Sequence, residues 1–112
     1  MDAQMKKGLL EACVLVSLET GESYGYKIIE DIRNVVEISE STLYPILKRL
    51  ESAQNLVVQS REFNGRLRKY YRITALGIER LAELRVVLCS MEKIHKFILG
   101  GRNGQENIFQ GT

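Results

Sequence analysis

Polar and cationic side chains alternate with apolar ones between Ser39 and Leu50. The apolar residues recur at i, i+3, i+4 and i+7, which is the stripe of a helix with one buried face; they are Leu43, Ile46, Leu47 and Leu50. The opposite face carries Ser41, Thr42, Tyr44, Lys48 and Arg49. Hydroxyl, phenol and cationic groups can contact base edges and phosphates in a DNA major groove. The pattern therefore predicts a recognition helix.

A basic hairpin is predicted soon after this helix. Residues 56–61 and 67–73 are rich in β-branched and aromatic side chains, as strands are. Asn64-Gly65 between them favours the positive φ angles of a type I′ turn. A recognition helix followed by such a hairpin indicates a winged helix-turn-helix. The expected fold class is therefore mainly α with a small β-hairpin.

The cations near the hairpin turn are Arg66, Arg68 and Lys69. Because side chains alternate along a strand, Arg68 and Lys69 point to opposite faces and cannot both follow one groove. We expect Arg66 and Arg68 to enter the minor groove or to contact its phosphates, with Lys69 as the weaker candidate. Arginine on an exposed hairpin can instead block edge-to-edge pairing, which is a protective role.

The polar groups of the recognition helix also have structural alternatives. Lys48 and Arg49 can belong to an ordinary solvated face, and Tyr44 can be a plain surface aromatic. The hydroxyl residues at the helix start can merely cap it; these are Ser39, Ser41 and Thr42. A helix N-terminus that points at a phosphate serves both purposes, because its free N–H groups and its dipole favour an anion.

The ends of the recognition helix are predicted near residues 40 and 53. Its cap is Ser39 or Ser41, and the sequence leaves this open. Pro45 is tolerated only in the opening turn of a helix, so it fits more easily if the regular part begins at Ser41. Asn55 is expected to take the left-handed conformation that closes the helix.

Three further helices are expected around the hairpin and the recognition helix. The first covers residues 5–19 and is apolar on more than one face. The second covers residues 24–36 and is capped by Ser23. The last covers residues 75–99, is capped by Thr74 and is stopped by Gly100-Gly101.

The last helix carries a heptad-like apolar stripe. Its members are spaced by four and three residues in alternation; they are Leu84, Leu88, Met91, His95 and Ile98, with Ile94 beside them. A small monomer cannot cover such a stripe, so we expect a homodimer that also uses Leu9, Leu10 and Cys13. The chain then divides into a DNA-binding domain (residues 1–73), a dimerisation helix (74–100) and a disordered tail (101–112).

Composition points to one ordinary globular domain, since 45% of the residues are hydrophobic and 27% are charged. Positive charge is concentrated in residues 41–73, where seven Lys/Arg stand against two Asp/Glu, whereas residues 1–40 hold four against eight. No apolar run approaches the roughly 18 residues that span a bilayer. The N-terminus lacks the pattern of a signal peptide, so we expect a cytoplasmic protein.

Catalysis and metal binding find no support in the sequence. Cys13 and Cys89 lie in apolar helical stretches without a histidine cluster, so we expect buried thiols, with a redox switch as the alternative. A nucleophile with a nearby base and a phosphate-binding glycine loop are both missing. We therefore expect no enzyme activity, no metal and no cofactor.

Taken together, these motifs resemble the PadR family of transcriptional regulators over about residues 5–99. The matching segments are Gly25-Tyr26-Lys27-Ile28-Ile29, Ile38-Ser39, Thr42-Leu43-Tyr44-Pro45, Leu47-Lys48-Arg49-Leu50-Glu51, and Arg68-Lys69-Tyr70-Tyr71-Arg72-Ile73-Thr74 with Gly77. The resemblance implies a homodimeric repressor in which Tyr26 and Lys27 contact the DNA backbone. A twofold dimer would bind a pseudo-palindromic operator of double-stranded DNA.

The short C-terminus resembles the compact PadR subfamily, some members of which bind flat drugs at the dimer interface. The resemblance implies a small hydrophobic effector near Leu9, Cys13, Leu88 and Met91. Those members stack their ligands on a tryptophan, and this chain has none. The alternative function is a winged-helix module that binds another protein and no DNA.

Overall fold

The computed structural model describes residues 3–104. The elements in this part of the chain are α1 (Ala3–Ser17), α2 (Gly25–Ile32), α3 (Glu40–Ser52), β1 (Leu56–Phe63), β2 (Arg66–Ile73) and α4 (Ala75–Gly104). The predicted class, mainly α with a small β-hairpin, is confirmed. The chain divides into two compact units, one ending at Leu81 and one beginning at Ala82. This boundary lies within α4, whereas the sequence pattern placed a domain boundary at residue 73.

The apolar stripe of α3 lies in the core of the first unit. Its four members, Leu43, Ile46, Leu47 and Leu50, are at most 4% exposed, as predicted. Burying one such side chain is worth about 1.5–3 kcal/mol, so the stripe dictates which face of α3 stays outside. Other core side chains come from every neighbouring element; they are Val14, Leu15, Leu18, Ile28, Leu56, Tyr71 and Leu81.

α1 begins and ends two residues earlier than predicted, and α2 is shorter than predicted. α1 ends at Ser17 rather than at residue 19, and α2 covers Gly25–Ile32 rather than residues 24–36. Ser23 does not cap α2, because Tyr24 occupies the N-cap position. The backbone of Ser23 instead pairs with Tyr71 of β2, through N–H···O bonds of 3.0 and 2.7 Å. The predicted cap was wrong because a strand distant in sequence binds this segment in an extended conformation.

The structure settles the N-cap of α3 that the sequence left open, and its C-terminal end differs from the one expected. Ser39 is the N-cap, since its side chain accepts a hydrogen bond from the Thr42 N–H. Pro45 therefore lies in the second helical turn. At the other end the left-handed residue is Gln54 (φ 64°) and not Asn55. The Asn55 N–H bonds to the Leu50 carbonyl at 2.8 Å, which is a Schellman closure with glutamine at the left-handed position.

The hairpin has the turn that its sequence predicts. Its strands are longer than the predicted segments 56–61 and 67–73. β1 and β2 pair antiparallel from Leu56 opposite Ile73 to Phe63 opposite Arg66. Asn64 (φ 51°) and Gly65 (φ 79°) occupy the turn, as a type I′ geometry requires. The hairpin therefore extends to the residues adjoining the turn.

The predicted cap of α4 is confirmed. The Thr74 hydroxyl accepts a hydrogen bond from the Gly77 N–H at 3.0 Å and donates one to the Gln54 carbonyl at 2.7 Å. Gly77 packs so closely on the Asn55 carbonyl that a β-carbon there would overlap it. These contacts attach the first turn of α4 to the end of α3.

The regular helix of α4 breaks at the predicted stop, because Gly101 has a non-helical backbone (φ 63°). A short further helical stretch follows this kink and reaches Gly104. Residues 105–112 of the predicted tail lie outside the described part of the chain. Among residues 3–104, no helix is at once long enough and apolar enough to cross a membrane.

Candidate nucleic-acid interface

The outer face of α3 presents the polar groups that its spacing predicts. Ser41, Thr42 and Lys48 are exposed, and Tyr44 is 45% exposed. The hydroxyls at the helix start form a small cluster, with the Ser39 oxygen 2.9 Å from that of Ser41 and 3.3 Å from that of Thr42. Ser39 thus caps the N-terminus of α3, where the free N–H groups of the first helical turn face outwards.

An open groove of about 860 Å³ runs between the starts of α2 and α3 and the hairpin. Its wall combines aromatic and cationic side chains; the residues are Tyr24, Gly25, Tyr26, Glu40, Tyr44, Phe63, Asn64, Arg66, Leu67, Arg68, Lys69 and Tyr71. The groove brings together most of the side chains that the sequence singled out on α2 and the hairpin. Of the predicted α3 contacts, only Tyr44 lines it.

Tyr26 and Lys27 stand at the first turn of α2. Tyr26 is 56% exposed and lines the groove. The Lys27 ammonium forms an exposed ion pair with Asp31, one helical turn on, at 3.2 Å. Such i,i+4 pairs on a solvated face are weak, so Lys27 stays available to a stronger anion.

Arg66 and Lys69 are exposed on the hairpin, whereas Arg68 is half-buried. The Arg68 guanidinium carbon lies 3.9 Å from the centre of the Tyr24 ring and 3.7 Å from the centre of the Phe63 ring. Its cationic plane is thus held between two aromatic side chains, which is a favourable cation–π arrangement. The sequence predicted that Arg68 and Lys69 diverge but not which of them is held inside the protein.

Arg49 turns away from the outer face of α3. Its Nε lies 3.4 Å from a carboxylate oxygen of Glu11 in α1, and the Glu11 side chain is only 14% exposed. Arg80, in the first turns of α4, reaches the other oxygen of Glu11 at 3.8 Å. The role of Glu11 could not be predicted from the sequence, because no local pattern links residues so distant in the chain.

The chain matches the family model "Transcriptional regulator PadR-like family" over residues 14–83. It belongs to this PadR-like family of transcriptional regulators. The resemblance drawn from the sequence motifs is confirmed, and so is the winged helix-turn-helix that it implies.

Similar proteins match between 66% and 89% of the chain. Transcriptional regulator Rv3488 of Mycobacterium tuberculosis is 31% identical over 101 residues, which are 89% of this chain and 92% of that protein. A PadR-like transcription factor of Bacteroides fragilis has a structure with a TM-score of 0.75 at 33% identity, covering 86% of this chain and 95% of that one. The structure of Bacillus subtilis PadR in complex with operator DNA shares the fold, with a TM-score of 0.61 at 24% identity over 66% of this chain and 45% of that one.

The second unit of this PadR-like chain is the remainder of α4. Leu84, Leu88 and Met91 are half-buried, and His95 is exposed. Large apolar side chains that are 51% to 74% exposed continue along the helix; they are Val86, Val87, Ile94, Phe97, Ile98 and Leu99. The helix therefore presents a long apolar surface to solvent in a single chain.

The cysteines of the PadR-like chain differ in their surroundings. Cys13 is half-buried, and burial raises the pKa of its thiol. Cys89 is exposed, so the expectation that both thiols are buried was wrong for Cys89. Its helix lacks a covering layer in the single chain. In residues 3–104 no group of three or more metal-ligating side chains comes together.

Burial also raises the pKa of the Tyr71 phenol, with smaller contributions from Tyr44 and Glu51. Tyr71 is 4% exposed at the base of the groove. Its phenol therefore stays neutral under all ordinary conditions and provides a rigid wall rather than a charge.

Proposed function

We propose that this chain is a homodimeric, sequence-specific DNA-binding repressor that places α3 in a major groove and its hairpin against the neighbouring minor groove. The observation that carries the proposal is the groove between α2, α3 and the hairpin, whose lining includes the exposed side chains of Arg66, Lys69 and Tyr44. The shared fold of Bacillus subtilis PadR, whose structure contains operator DNA, supports it. Such a role would be carried out on DNA in the cytoplasm.

Direct readout is assigned to the outer face of α3. Ser41, Thr42 and Tyr44 would contact base edges, and Lys48 would contact a phosphate. The capped N-terminus at Ser39 would face a phosphate, because its N–H groups carry partial positive charge.

Backbone contacts are assigned to the flanking elements. Tyr26 and Lys27 would contact one strand from α2, and Arg66 would follow the minor groove from the hairpin. Lys69 lies on the opposite face of β2 and is the weaker candidate. Two predicted contacts, Arg49 and Arg68, already have partners inside the protein. The proposal therefore relies on the exposed cations and less on these two.

Dimerisation is assigned to the exposed apolar surface of α4, with Leu9, Leu10 and Cys13 of α1 as further contacts. Leu10 is already 7% exposed in the single chain, so its contribution would be small. A twofold dimer predicts a pseudo-palindromic operator whose half-sites lie about one helical turn, ~34–36 Å, apart or a multiple of it.

A small hydrophobic effector near Leu9, Cys13, Leu88 and Met91 would act by changing the distance or angle between the two recognition helices. The proposal is supported by the apolar character of these positions. A broad hydrophobic library screened for shifts in melting temperature tests it. If no compound shifts the melting temperature, the effector should be abandoned while the DNA-binding role stands.

A titration against the DNA just upstream of the chain's own gene tests the central proposal, with a scrambled duplex as the control. Near 150 mM salt, binding should be about a thousandfold tighter to the first. With about five phosphates neutralised, log K should fall against log salt with a slope of roughly −4 to −5. Equal and weak binding to both duplexes, with no salt dependence, would favour a protein-interaction module.

A further inference from the structure

The outer face of the hairpin carries two arginines and two aromatic rings in a checkerboard. Arg61 is directly opposite Arg68 in the strand register, and Phe63 and Tyr70 lie two residues from them on the same face. Two like charges directly opposite one another destabilise a hairpin. Here each arginine is instead placed over a ring on the other strand: Arg61 is 4.0 Å from the centre of Tyr70 and Arg68 is 3.7 Å from that of Phe63.

The same arginines reach beyond the hairpin to the segment that precedes α2. Arg68 stacks on Tyr24, the N-cap residue of α2, and Arg61 forms an ion pair with Glu22. Tyr24 also meets Tyr70 edge to face, with ring centres 5.9 Å apart. An unbroken series of contacts thus joins Phe63, next to the turn, to the start of α2.

The backbone of this segment explains why its side chains converge on the arginines. Ser23 pairs with Tyr71 of β2 as a single bridge, so the extended chain runs beside the hairpin here. Side chains alternate in extended chain, which buries Ser23 and leaves Glu22 and Tyr24 on the hairpin's outer face.

We propose that Arg68 is a positioning residue: by stacking between Tyr24 and Phe63 it sets the angle of the hairpin against α2 and so places Arg66 on the DNA, without contacting DNA itself. The proposal rests on the DNA-binding function proposed above. A planar guanidinium suits this role because both of its faces can stack on rings, which the compact ammonium of lysine cannot reproduce. This stacking role also explains why Arg68 is half-buried, whereas Arg66 and Lys69 are exposed.

The first test uses the free protein and does not depend on DNA. In an NMR spectrum of the full chain, ring currents from Tyr24 and Phe63 should shift the δ-methylene protons of Arg68 upfield. Tyr24→Leu should remove a large part of this shift. Tyr26→Leu, on the neighbouring exposed tyrosine, should leave it unchanged. An Arg68 signal at its ordinary position in the wild-type chain would show that the stack does not exist in solution.

The second test separates positioning from phosphate contact by the salt dependence of operator binding. Arg66→Gln should weaken binding and make the slope of log K against log salt shallower by about 0.9. Arg68→Gln should weaken binding by about tenfold, as the loss of a cation–π stack predicts, at the wild-type slope. Arg68→Lys should not restore the affinity, although it keeps the charge. Melting temperatures confirm that each variant is folded.

The outcomes distinguish this proposal from the function on which it rests. A wild-type chain that does not prefer the operator overturns the DNA-binding function and this role with it. Specific wild-type binding combined with a shallower slope for Arg68→Gln and full rescue by Arg68→Lys overturns the positioning role alone, because those are the signs of a phosphate contact.

Discussion

The phenol oxygen of Tyr44 lies over the backbone of Gly25, where a β-carbon at position 25 would stand 2.6 Å from it. The contact joins the outer face of α3 to the first residue of α2, and Gly25 itself is buried. Tyr44 therefore does not project freely from the recognition helix. Because Gly25 has no side chain, the Tyr44 ring can lie along the groove wall.

Gly25→Ala should lower the free energy of unfolding by about 1–2 kcal/mol, because the phenol must move to admit a methyl group. Alanine is otherwise the better helix former, so the loss measures the contact with Tyr44. Gly8→Ala is the matched control: its β-carbon meets no atom within 4 Å, and it should raise the free energy of unfolding by roughly 0.5–1 kcal/mol. Urea denaturation measures both. In a Tyr44→Ala background Gly25→Ala should behave like the control, and an unchanged loss there would argue against the contact.

Lys48→Ala should weaken binding to all DNA sequences alike and reduce the salt slope by about one, because an exposed ammonium neutralises phosphate without reading bases. Tyr44→Ala should also change which operator is preferred. Competition titrations against a panel of single-base operator variants distinguish the two effects. Lys96→Ala, on exposed α4, serves as the control for lost charge. If neither substitution had an effect, α3 would not be the recognition helix.

Glu11→Gln should destabilise the first unit by about 1–2 kcal/mol even though it leaves the shape of the side chain intact. The reason is that Arg49 and Arg80 both lie against this largely buried carboxylate, and a neutral amide removes the negative charge that both of them contact. The pair is partly solvated, which keeps the loss below that of a fully buried one. Thermal unfolding followed by circular dichroism measures it. Glu62→Gln, exposed on the hairpin, should change the stability little, and an equal loss there would remove the special role of Glu11.

Ile94→Lys combined with Ile98→Lys should convert a dimer into monomers, because both side chains lie on the exposed apolar surface of α4. Burying a charge against a partner helix is far more costly than burying an isoleucine. Sedimentation equilibrium measures the change in mass, and the melting temperature of the wild type should rise with protein concentration. Ser90→Lys, at an exposed polar position of the same helix, should leave the dimer intact. A monomeric wild type at micromolar concentration would contradict the dimer.

Stability should fall as the pH rises above about 10. The folded chain raises the pKa of Tyr71 above its ordinary value of 10.0, chiefly by burial, so the folded state prefers the neutral phenol. Its contribution is complete below the unfolded pKa and is lost as the pH climbs through the folded pKa. Urea denaturation from pH 8 to pH 11 measures this. Tyr71→Phe should flatten the upper part of the profile, whereas an unchanged profile would show that other groups cause the loss.

Local features of the fold could be predicted because each follows from a few adjacent residues. The turn at Asn64-Gly65 depends on two residues that tolerate positive φ, and the buried face of α3 depends on a spacing of apolar side chains. The cap at Thr74 likewise uses an N–H only three residues away. Helix ends were less predictable: Ser23 is a good cap by type, yet the hairpin binds its backbone in an extended form.

By itself, the sequence determined the order of the elements, the inward and outward faces of α3 and the family to which the chain belongs. Only the tertiary structure decided which cations stay exposed. Arg49 and Lys48 are adjacent and chemically alike, but α1 places Glu11 beside the first and leaves the second in solvent. Arg68 and Lys69 are likewise neighbours, and the position of Tyr24 selects Arg68 for stacking. The physical reason is that helix periodicity and turn chemistry act between near neighbours, whereas ion pairs and ring contacts depend on where folding brings distant segments together.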